Sequence, residues 1–521
     1  MVQSSYRKVK EEVMRMRRLS LKPKLLDVMA GGLVVVLNSA YAHQNDIYTG
    51  YRVIVRYKKR QIIAMVDLSN DLAKPGEIGL FYEVHKALGA STHGTVELEL
   101  TSRPQSIEYI KAKMEGKTLE AGQIRTIIND TMDNRLAEGE LAAFMTSCYI
   151  RGMNEDEVVG LTESIVATGE TLKVGKSPIL DKHCIGGVAG NRTTMVMVPI
   201  VAAAGCFIPK TSSRAITSAA GTADAMETLC DVSMPIHEME KQVRSIGGCV
   251  VWGGAINLAA ADDKLIKIRT PLSLAPKGVL LSSILAKKKS VGAQYCVIDI
   301  PVGRGVKLND MAEARALAKD FISIGKRLGI TIEALITNGE DPIGNGIGPA
   351  LECRDALACL EGNGPRDLRD KSCQLSGTLL ELSGKAKKGT GYSIAASLLD
   401  NGKALAKFKQ IVEWQGGEVK KLNSHSVPIG SYHHRITATR SGRVSHLDNK
   451  LLARVARACG APADKGAGVY LHMEKGDLIK AGDPLMDLYA ESEGKLDMAL
   501  RVFEKMEAVE MEKVVLDSLR E

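Results

Sequence analysis

Between residues 177 and 224 the chain passes twice from an apolar stretch into a loop suited to anions, and this constrains its fold more than any other feature. Ser177-Pro178-Ile179-Leu180 is short and strand-like. It leads into Asp181-Lys182-His183-Cys184-Ile185-Gly186-Gly187-Val188-Ala189-Gly190-Asn191-Arg192-Thr193-Thr194, which is rich in glycine. The apolar run from Met195 to Gly205 then predicts a helix. Next comes Lys210-Thr211-Ser212-Ser213-Arg214-Ala215-Ile216-Thr217-Ser218-Ala219-Ala220-Gly221-Thr222-Ala223-Asp224, with six hydroxyls, one arginine and one glycine. Strand, glycine loop and helix in succession can cradle a phosphate on backbone amides. The glycine spacing fits neither the P-loop nor the dinucleotide fingerprint. In the second loop each hydroxyl can donate a directed hydrogen bond, and the arginine adds a bidentate charged fork. That loop alone suits an ordinary Ser/Thr-rich turn with a helix cap equally well. Two such loops separated by one short helix are far more specific than either.

These stretches resemble the thymidine and pyrimidine-nucleoside phosphorylases, and among them the archaeal-type AMP phosphorylases. The residues that carry the likeness are Lys182 to Gly187, Ser212 to Ser218, Gly221 to Asp224 and Trp252-Gly253-Gly254-Ala255-Ile256-Asn257-Leu258. Further along come Ser282 to Lys288 and Asp341-Pro342-Ile343-Gly344. The likeness runs from about Pro104 to the C-terminus.

A chain of 521 residues is long enough for roughly three domains. The net charge of +8 is spread along the sequence and can attract anions, but it is no nucleic-acid signature. Aromatics at 4% leave few platforms for stacking bases. The ten cysteines form no CxxC pair and read as reduced, buried thiols. No stretch reads as a targeting segment, and Met195 to Pro209, the longest apolar run, is too short for a bilayer span. The expectation is a cytoplasmic protein with no membrane or nucleic-acid partner.

Taken in order, residues 1–103 read as an N-terminal β-domain: a charged arm to Leu21, then alternating strands at 32–37, 51–55, 61–66 and 95–100, forming a small barrel. Residues 104–168 read as a helical lobe, rejoined by about 258–290. Residues 169–427 read as a mixed parallel-sheet α/β domain, with strands at 248–252, 296–300 and 330–336 and a helix over 312–328. Residues 428–521 read as an α+β subdomain of barrel-sandwich character, its strands joined by Gly-Asp turns. The fold class is therefore α/β with an N-terminal β-barrel-like domain.

The resemblance implies phosphorolysis: phosphate displaces a base at the anomeric carbon through an oxocarbenium-like transition state. It implies that Lys182, Thr194, Ser212 and Thr222 hold the attacking phosphate. Gly187, Ser213, Arg214, Ala215, Ile216, Thr217, Ser218, Thr222, Ser283 and Lys307 match nucleotide-contacting positions. Lys307 would meet a 5′-phosphate, though it also suits a solvated loop lysine. Arg269, Ser283 and Lys287 match the groups that grip a pyrimidine in thymidine phosphorylases. One departure matters. The AMP phosphorylases carry a proton-donating aspartate after a Leu-Ser-Leu-like stretch, and here Leu272-Ser273-Leu274 precedes Ala275. His183 or Lys287 would then assist the leaving base, and His183 could titrate near neutrality. A structural histidine suits that position equally.

The expected substrate is a nucleoside 5′-monophosphate, AMP first, with inorganic phosphate as co-substrate and no metal or cofactor. The expected assembly is a homodimer or larger. A thymidine or pyrimidine-nucleoside phosphorylase, a phosphoribosyltransferase and a non-catalytic nucleotide-binding paralogue are the alternatives, the last because of Ala275.

Overall fold

The computed structural model describes residues 18–101, 103–215, 218–272 and 274–512. The chain forms two compact units, residues 1–168 with 260–282, and residues 169–259 with 283–521.

In the first unit six strands close a barrel: β1 (Arg18–Leu25), β2 (Val34–Asn38), β3 (Arg52–Tyr57), β4 (Arg60–Ser69), β5 (Glu77–Leu80) and β6 (Val96–Leu100), in the order β1-β5-β2-β4-β3-β6. β1 runs parallel to β5 and β2 parallel to β4, while the other pairs are antiparallel. Closure leaves no edge strand to protect. Alternation fills the inside: Val53, Val55 and Tyr57 of β3 are buried and join Leu21, Leu37, Val66, Ile78 and Leu98 in one core.

Two strands escaped the sequence reading. Arg18 to Leu21, assigned there to the charged arm, belongs to β1 and pairs antiparallel with β6 from Arg18↔Glu99 to Leu21↔Val96. Outward-facing Arg18, Lys22 and Lys24 mask the inward alternation of that strand. The other strand is β5, only four residues long. The rest of the arm lies outside the described residues.

Helices Ser106–Met114, Ala121–Met132, Glu138–Arg151 and Glu155–Ala167 form the helical lobe, which Ala260–Arg269 rejoins. Asn154 caps the fourth helix by accepting from the Glu157 amide at 2.9 Å, and Glu157 accepts back from the Asn154 amide at 3.1 Å. The same buried carboxylate takes Lys113 Nζ at 2.7 and 2.8 Å, so one residue starts a helix and ties two together. Lys264 fastens the returning helix by donating to the Thr131 carbonyl at 3.0 Å and to Asn134 Oδ1 at 2.9 Å.

The second unit is built on five parallel strands: β7 (Leu180–Cys184), β8 (Ile208–Ser212), β9 (Gly248–Trp252), β10 (Tyr295–Val302) and β11 (Thr331–Asn338). β7 pairs with β10 and β10 with β11, while β8 pairs with β9. A parallel bridge Ile179↔Phe207, with the Leu180 amide donating to the Phe207 carbonyl at 2.7 Å, joins the two sheets just before β7 and β8 diverge. Across the unit the strands run β9-β8-β7-β10-β11, a doubly wound order whose ligand crevice lies beyond the carboxyl ends of the strands.

β7 and β8 start later in the chain than the apolar pattern suggests. Pairing with β10 draws Lys182-His183-Cys184 into the strand, and pairing with β9 does the same for Lys210-Thr211-Ser212. Helix Thr193–Ala203 connects them. It is apolar on every side and almost wholly buried, each Val, Ile or Met contributing about 1.5–3 kcal/mol. Helices Pro349–Glu361, Arg366–Leu382, Gly391–Asp400 and Lys403–Trp414 share its core.

The C-terminal part adds β12 (Gly346–Ile347), β13 (Tyr432–Thr437), β14 (Gly442–Leu447), β15 (Gly468–Leu471), β16 (Leu478–Ile479), β17 (Pro484–Ala490) and β18 (Val509–Met511). They form two sheets, β12-β15-β17-β13 and β16-β14-β18, around a separate apolar core. Among the described residues no helix is long and apolar enough to cross a membrane.

Candidate active site

Strands β7, β8, β10 and β11 gather a buried ionic array between them. Lys182 Nζ donates to Thr193 Oγ1 at 2.9 Å and lies 3.9 Å from Asp299 Oδ2. Asp299, at the middle of β10, is fully buried. Thr337 of β11 donates to its Oδ1 at 2.6 Å, and Lys371 Nζ stands 3.2 Å from Oδ2. On the other side of β7, Asp181 is also fully buried. Its Oδ2 takes Lys288 Nζ at 2.5 Å, and its Oδ1 accepts the Lys182 amide at 2.7 Å and lies 3.7 Å from Lys210 Nζ. Four lysines thus face two carboxylates. Burial, with Lys288 next, brings Lys210 down to about 7; burial also lowers Lys182. The lysines Lys182 and Lys371 hold Asp299 below its ordinary range against the opposing effect of burial.

The glycine loop follows β7 and packs against Val306 and Lys307. Gly187 has φ +107°, and a Cβ there would stand 2.8 Å from the Val306 Cα, so only glycine fits. The neighbouring Lys307 reaches back over the loop, its Nζ 4.0 Å from where a Gly186 Cβ would stand. Cys184 accepts from Asn191 Nδ2 at 3.5 Å, and burial pushes its thiol up to about 11, so it stays protonated.

The hydroxyl loop is held by acids. Asp224, in the first turn of helix Thr222–Met226, accepts the amides of Ala215 at 2.7 Å and Gly221 at 2.8 Å. Gly221 has to be small, because a Cβ would meet the Ser213 carbonyl oxygen at 2.3 Å. Arg214 was expected to offer its fork to an anion. In the structure that fork grips Glu227 at 2.6 and 2.5 Å, and the guanidinium stacks on Trp252 at 4.7 Å. Lys465 also reaches Glu227 at 2.7 Å, and Arg214 above all holds that carboxyl near 2. Ser212 donates to the Val251 carbonyl at 3.2 Å, and Ser218 to the Ala220 carbonyl at 3.1 Å. Ile216 and Thr217 lie outside the described residues.

Thr222 Oγ1 accepts from Arg192 Nη1 at 3.0 Å, and Arg192 is itself anchored on Glu352 and on the Ala220 carbonyl at 2.8 Å. Thr194 is buried in the first turn of its helix, but it is Thr193 that binds the Lys182 ammonium. Lys287 donates to Ser283 Oγ at 3.2 Å, one helical turn apart on helix Lys277–Ser290. Ala275 and Arg269 belong to the other unit; Ala275 is exposed just before that helix, and Arg269 donates to the Leu274 carbonyl at 3.4 Å.

His183 departs from expectation. The residue is half-buried, and it lies close to the charges of Lys288, Lys210, Lys287 and Lys307. Burial first, then these lysines, push it well below the ordinary histidine value. It is neutral at pH 7 and does not titrate near neutrality.

The sequence reading missed Thr193, Asp181, Lys210, Lys288, Asp299, Thr337 and Lys371. Asp181, beside Lys182, and Asp299, a lone acid inside an apolar strand, were the available signals. An acid amid Cys296-Val297-Ile298 and Ile300 has to be paired. Lys371 and Thr337 come from distant elements and left no sequence trace.

Comparisons with known proteins agree with this architecture. Residues 107–169 match the helical bundle domain of a glycosyl transferase family, residues 176–405 match its a/b domain, and residues 443–509 match the pyrimidine nucleoside phosphorylase C-terminal domain. The AMP phosphorylase of Pyrococcus furiosus is 45% identical over 496 residues, 95% of this chain and 98% of the relative. That of Thermococcus kodakarensis is 44% identical over 499 residues, 96% and 99% of the two chains. Anthranilate phosphoribosyltransferase from Thermus thermophilus superposes with a TM-score of 0.51 at 18% identity, covering 59% of this chain and 99% of its own, and shares the fold. The chain belongs to the thymidine and pyrimidine-nucleoside phosphorylase family of pentosyltransferases, on its AMP phosphorylase branch.

Proposed function

We propose that this protein catalyses phosphorolysis of AMP to adenine and ribose 1,5-bisphosphate. The observation that carries the reading is the near-full-length identity, N-terminal barrel included, to relatives named AMP phosphorylase. The buried array supports it chemically. Four lysines against two carboxylates leave positive charge that a phosphate dianion neutralises, with Lys182 supplying charge and Thr194, Ser212 and Thr222 supplying direction. Gly187, Ser213 to Ser218, Ser283 and Lys307 are assigned to the nucleotide, Lys307 to its 5′-phosphate. No metal or other cofactor is invoked, because phosphate is itself the nucleophile. We place the enzyme in the cytoplasm as a homodimer or larger assembly.

Phosphate oxygen attacks the anomeric carbon while the N-glycosidic electron pair leaves with the base, which must then gain a proton. Ala275 cannot supply it. His183, held neutral, can donate a hydrogen bond but has no imidazolium proton to give at pH 7. We assign the assisting role to Lys287, whose ammonium is oriented by Ser283.

The test is phosphate-dependent base release from AMP, CMP, UMP, adenosine, uridine and thymidine, followed by chromatography. Adenine from AMP should dominate. Release from the nucleosides alone would overturn the monophosphate reading. AMP binding with no release in phosphate would replace it with a nucleotide-binding paralogue.

A further inference from the structure

Lys210 stands apart from the other cations of the array. It lies on β8, next to the point where β8 separates from β7, and its side chain is 7% exposed. Its ammonium donates to the Thr211 carbonyl, its own neighbour. Its nearest carboxylate oxygen, Asp181 Oδ1, is 3.7 Å away and already accepts the Lys182 amide, while Asp181 Oδ2 is taken by Lys288 at 2.5 Å. The groups facing it are Asp181 and Lys182 from β7, Lys288 from helix Lys277–Ser290, Cys296 from β10 and Cys249 from β9. Both thiols are buried and protonated, pushed up to about 12 and above. His183 nearby is neutral.

With every lysine charged, Lys182, Lys210, Lys288 and Lys371 set against Asp181 and Asp299 would leave two uncompensated positive charges inside the protein. Buried charge without a partner is costly. The array can relieve it by releasing a proton from its least supported member or by accepting an anion. Lys288 and Lys371 have short carboxylate contacts, and Lys182 has Thr193 as well as Asp299. Lys210 has the poorest support.

Resting on the anion-site reading above, we infer that Lys210 is a positioning residue that gives up its proton in the empty site and regains it when a dianion settles on Lys182. The binding step then takes up a proton from solvent, and positive charge behind the anion exists only while the anion is there. The site avoids a standing charge penalty and still offers the bound dianion a full cationic wall.

The test uses sulfate, a dianion that does not itself titrate near pH 7, in place of phosphate. Sulfate binding to the full chain is measured calorimetrically at pH 7.5 in two buffers of different ionisation enthalpy. The wild type should bind with an apparent enthalpy that shifts between buffers in the sense of proton uptake. Lys210→Arg, whose charge is permanent, should bind sulfate with no buffer-dependent shift. Lys210→Met should lose the shift and bind several-fold more weakly. If Lys210→Met fails to fold, Lys210→Arg carries the comparison. Equal proton uptake by wild type and Lys210→Arg, or wild-type binding without uptake, would overturn the inference while leaving the anion site standing. Absence of any sulfate binding would overturn both.

Discussion

At the scale of single residues, the site depends on which partner each buried charge keeps. Asp299 holds Lys182 at 3.9 Å and Lys371 at 3.2 Å, so Asp299→Asn removes the charge that supports both. Breaking a buried pair costs about 3–5 kcal/mol. The variant should melt several degrees lower, and its KM for phosphate should rise on the order of tenfold with little change for AMP. Equal KM changes for both substrates would show that Asp299 supports the whole fold rather than the anion.

Lys210 makes a second prediction. Its folded-state value near 7 lies below the ordinary 10.5, so between those values the unfolded chain binds the extra proton. Its contribution therefore makes stability rise with pH across that window, and below it the penalty is complete. Denaturation midpoints of the unliganded wild type from pH 7 to 9 should climb relative to Lys210→Met. Parallel curves would contradict this. At Ala275 the missing acid can be restored: Ala275→Asp should raise the rate of adenine release, on the order of the 10²-fold typical of general acid catalysis. An unchanged rate would show that the proton reaches the base by another route.

At the scale of elements, the site depends on two loops that pack too closely for side chains. Gly187→Ala places a Cβ 2.8 Å from the Val306 Cα at φ +107°. The strain of about 1–3 kcal/mol should appear as a lower denaturation midpoint and weaker phosphate binding. Retention of both at wild-type level would mean the loop relaxes freely. The two anion loops, their glycines and the apolar helix Thr193–Ala203 were legible in the sequence, because small residues, hydroxyls and an unbroken apolar run each have a direct physical meaning. The strand ends were not. Polar Lys182-His183 and Lys210-Thr211 look like loop until β10 and β9 pair with them, and only tertiary pairing decides that. The hold of Arg214 on Glu227, thirteen positions on, was not legible for a related reason: a guanidinium paired with an acid leaves the same sequence trace as one aimed at a ligand. Lys371 and Lys288 were invisible as site residues because they reach the array from separate helices.

At the scale of the molecule, the doubly wound order β9-β8-β7-β10-β11 explains why residues as far apart in sequence as Asp181 and Lys371 serve one array. Parallel strands lie side by side, so Lys182, Lys210 and Asp299 converge without any local sequence signal. Asp181 and Asp299 sit on the central strands, and their lysine partners come from β7, β8 and two helices. The barrel of the first unit, with its own closed core, is architecturally independent of that convergence. The most direct measurement follows the phosphate itself. With AMP and radiolabelled inorganic phosphate, label should enter the sugar product in step with adenine release, and Lys182→Met should cut that rate roughly 10²-fold or more, the scale of losing one charge-stabilising group, with AMP affinity nearly unchanged. Adenine release without label in the sugar, or a Lys182→Met rate equal to wild type, would contradict the account.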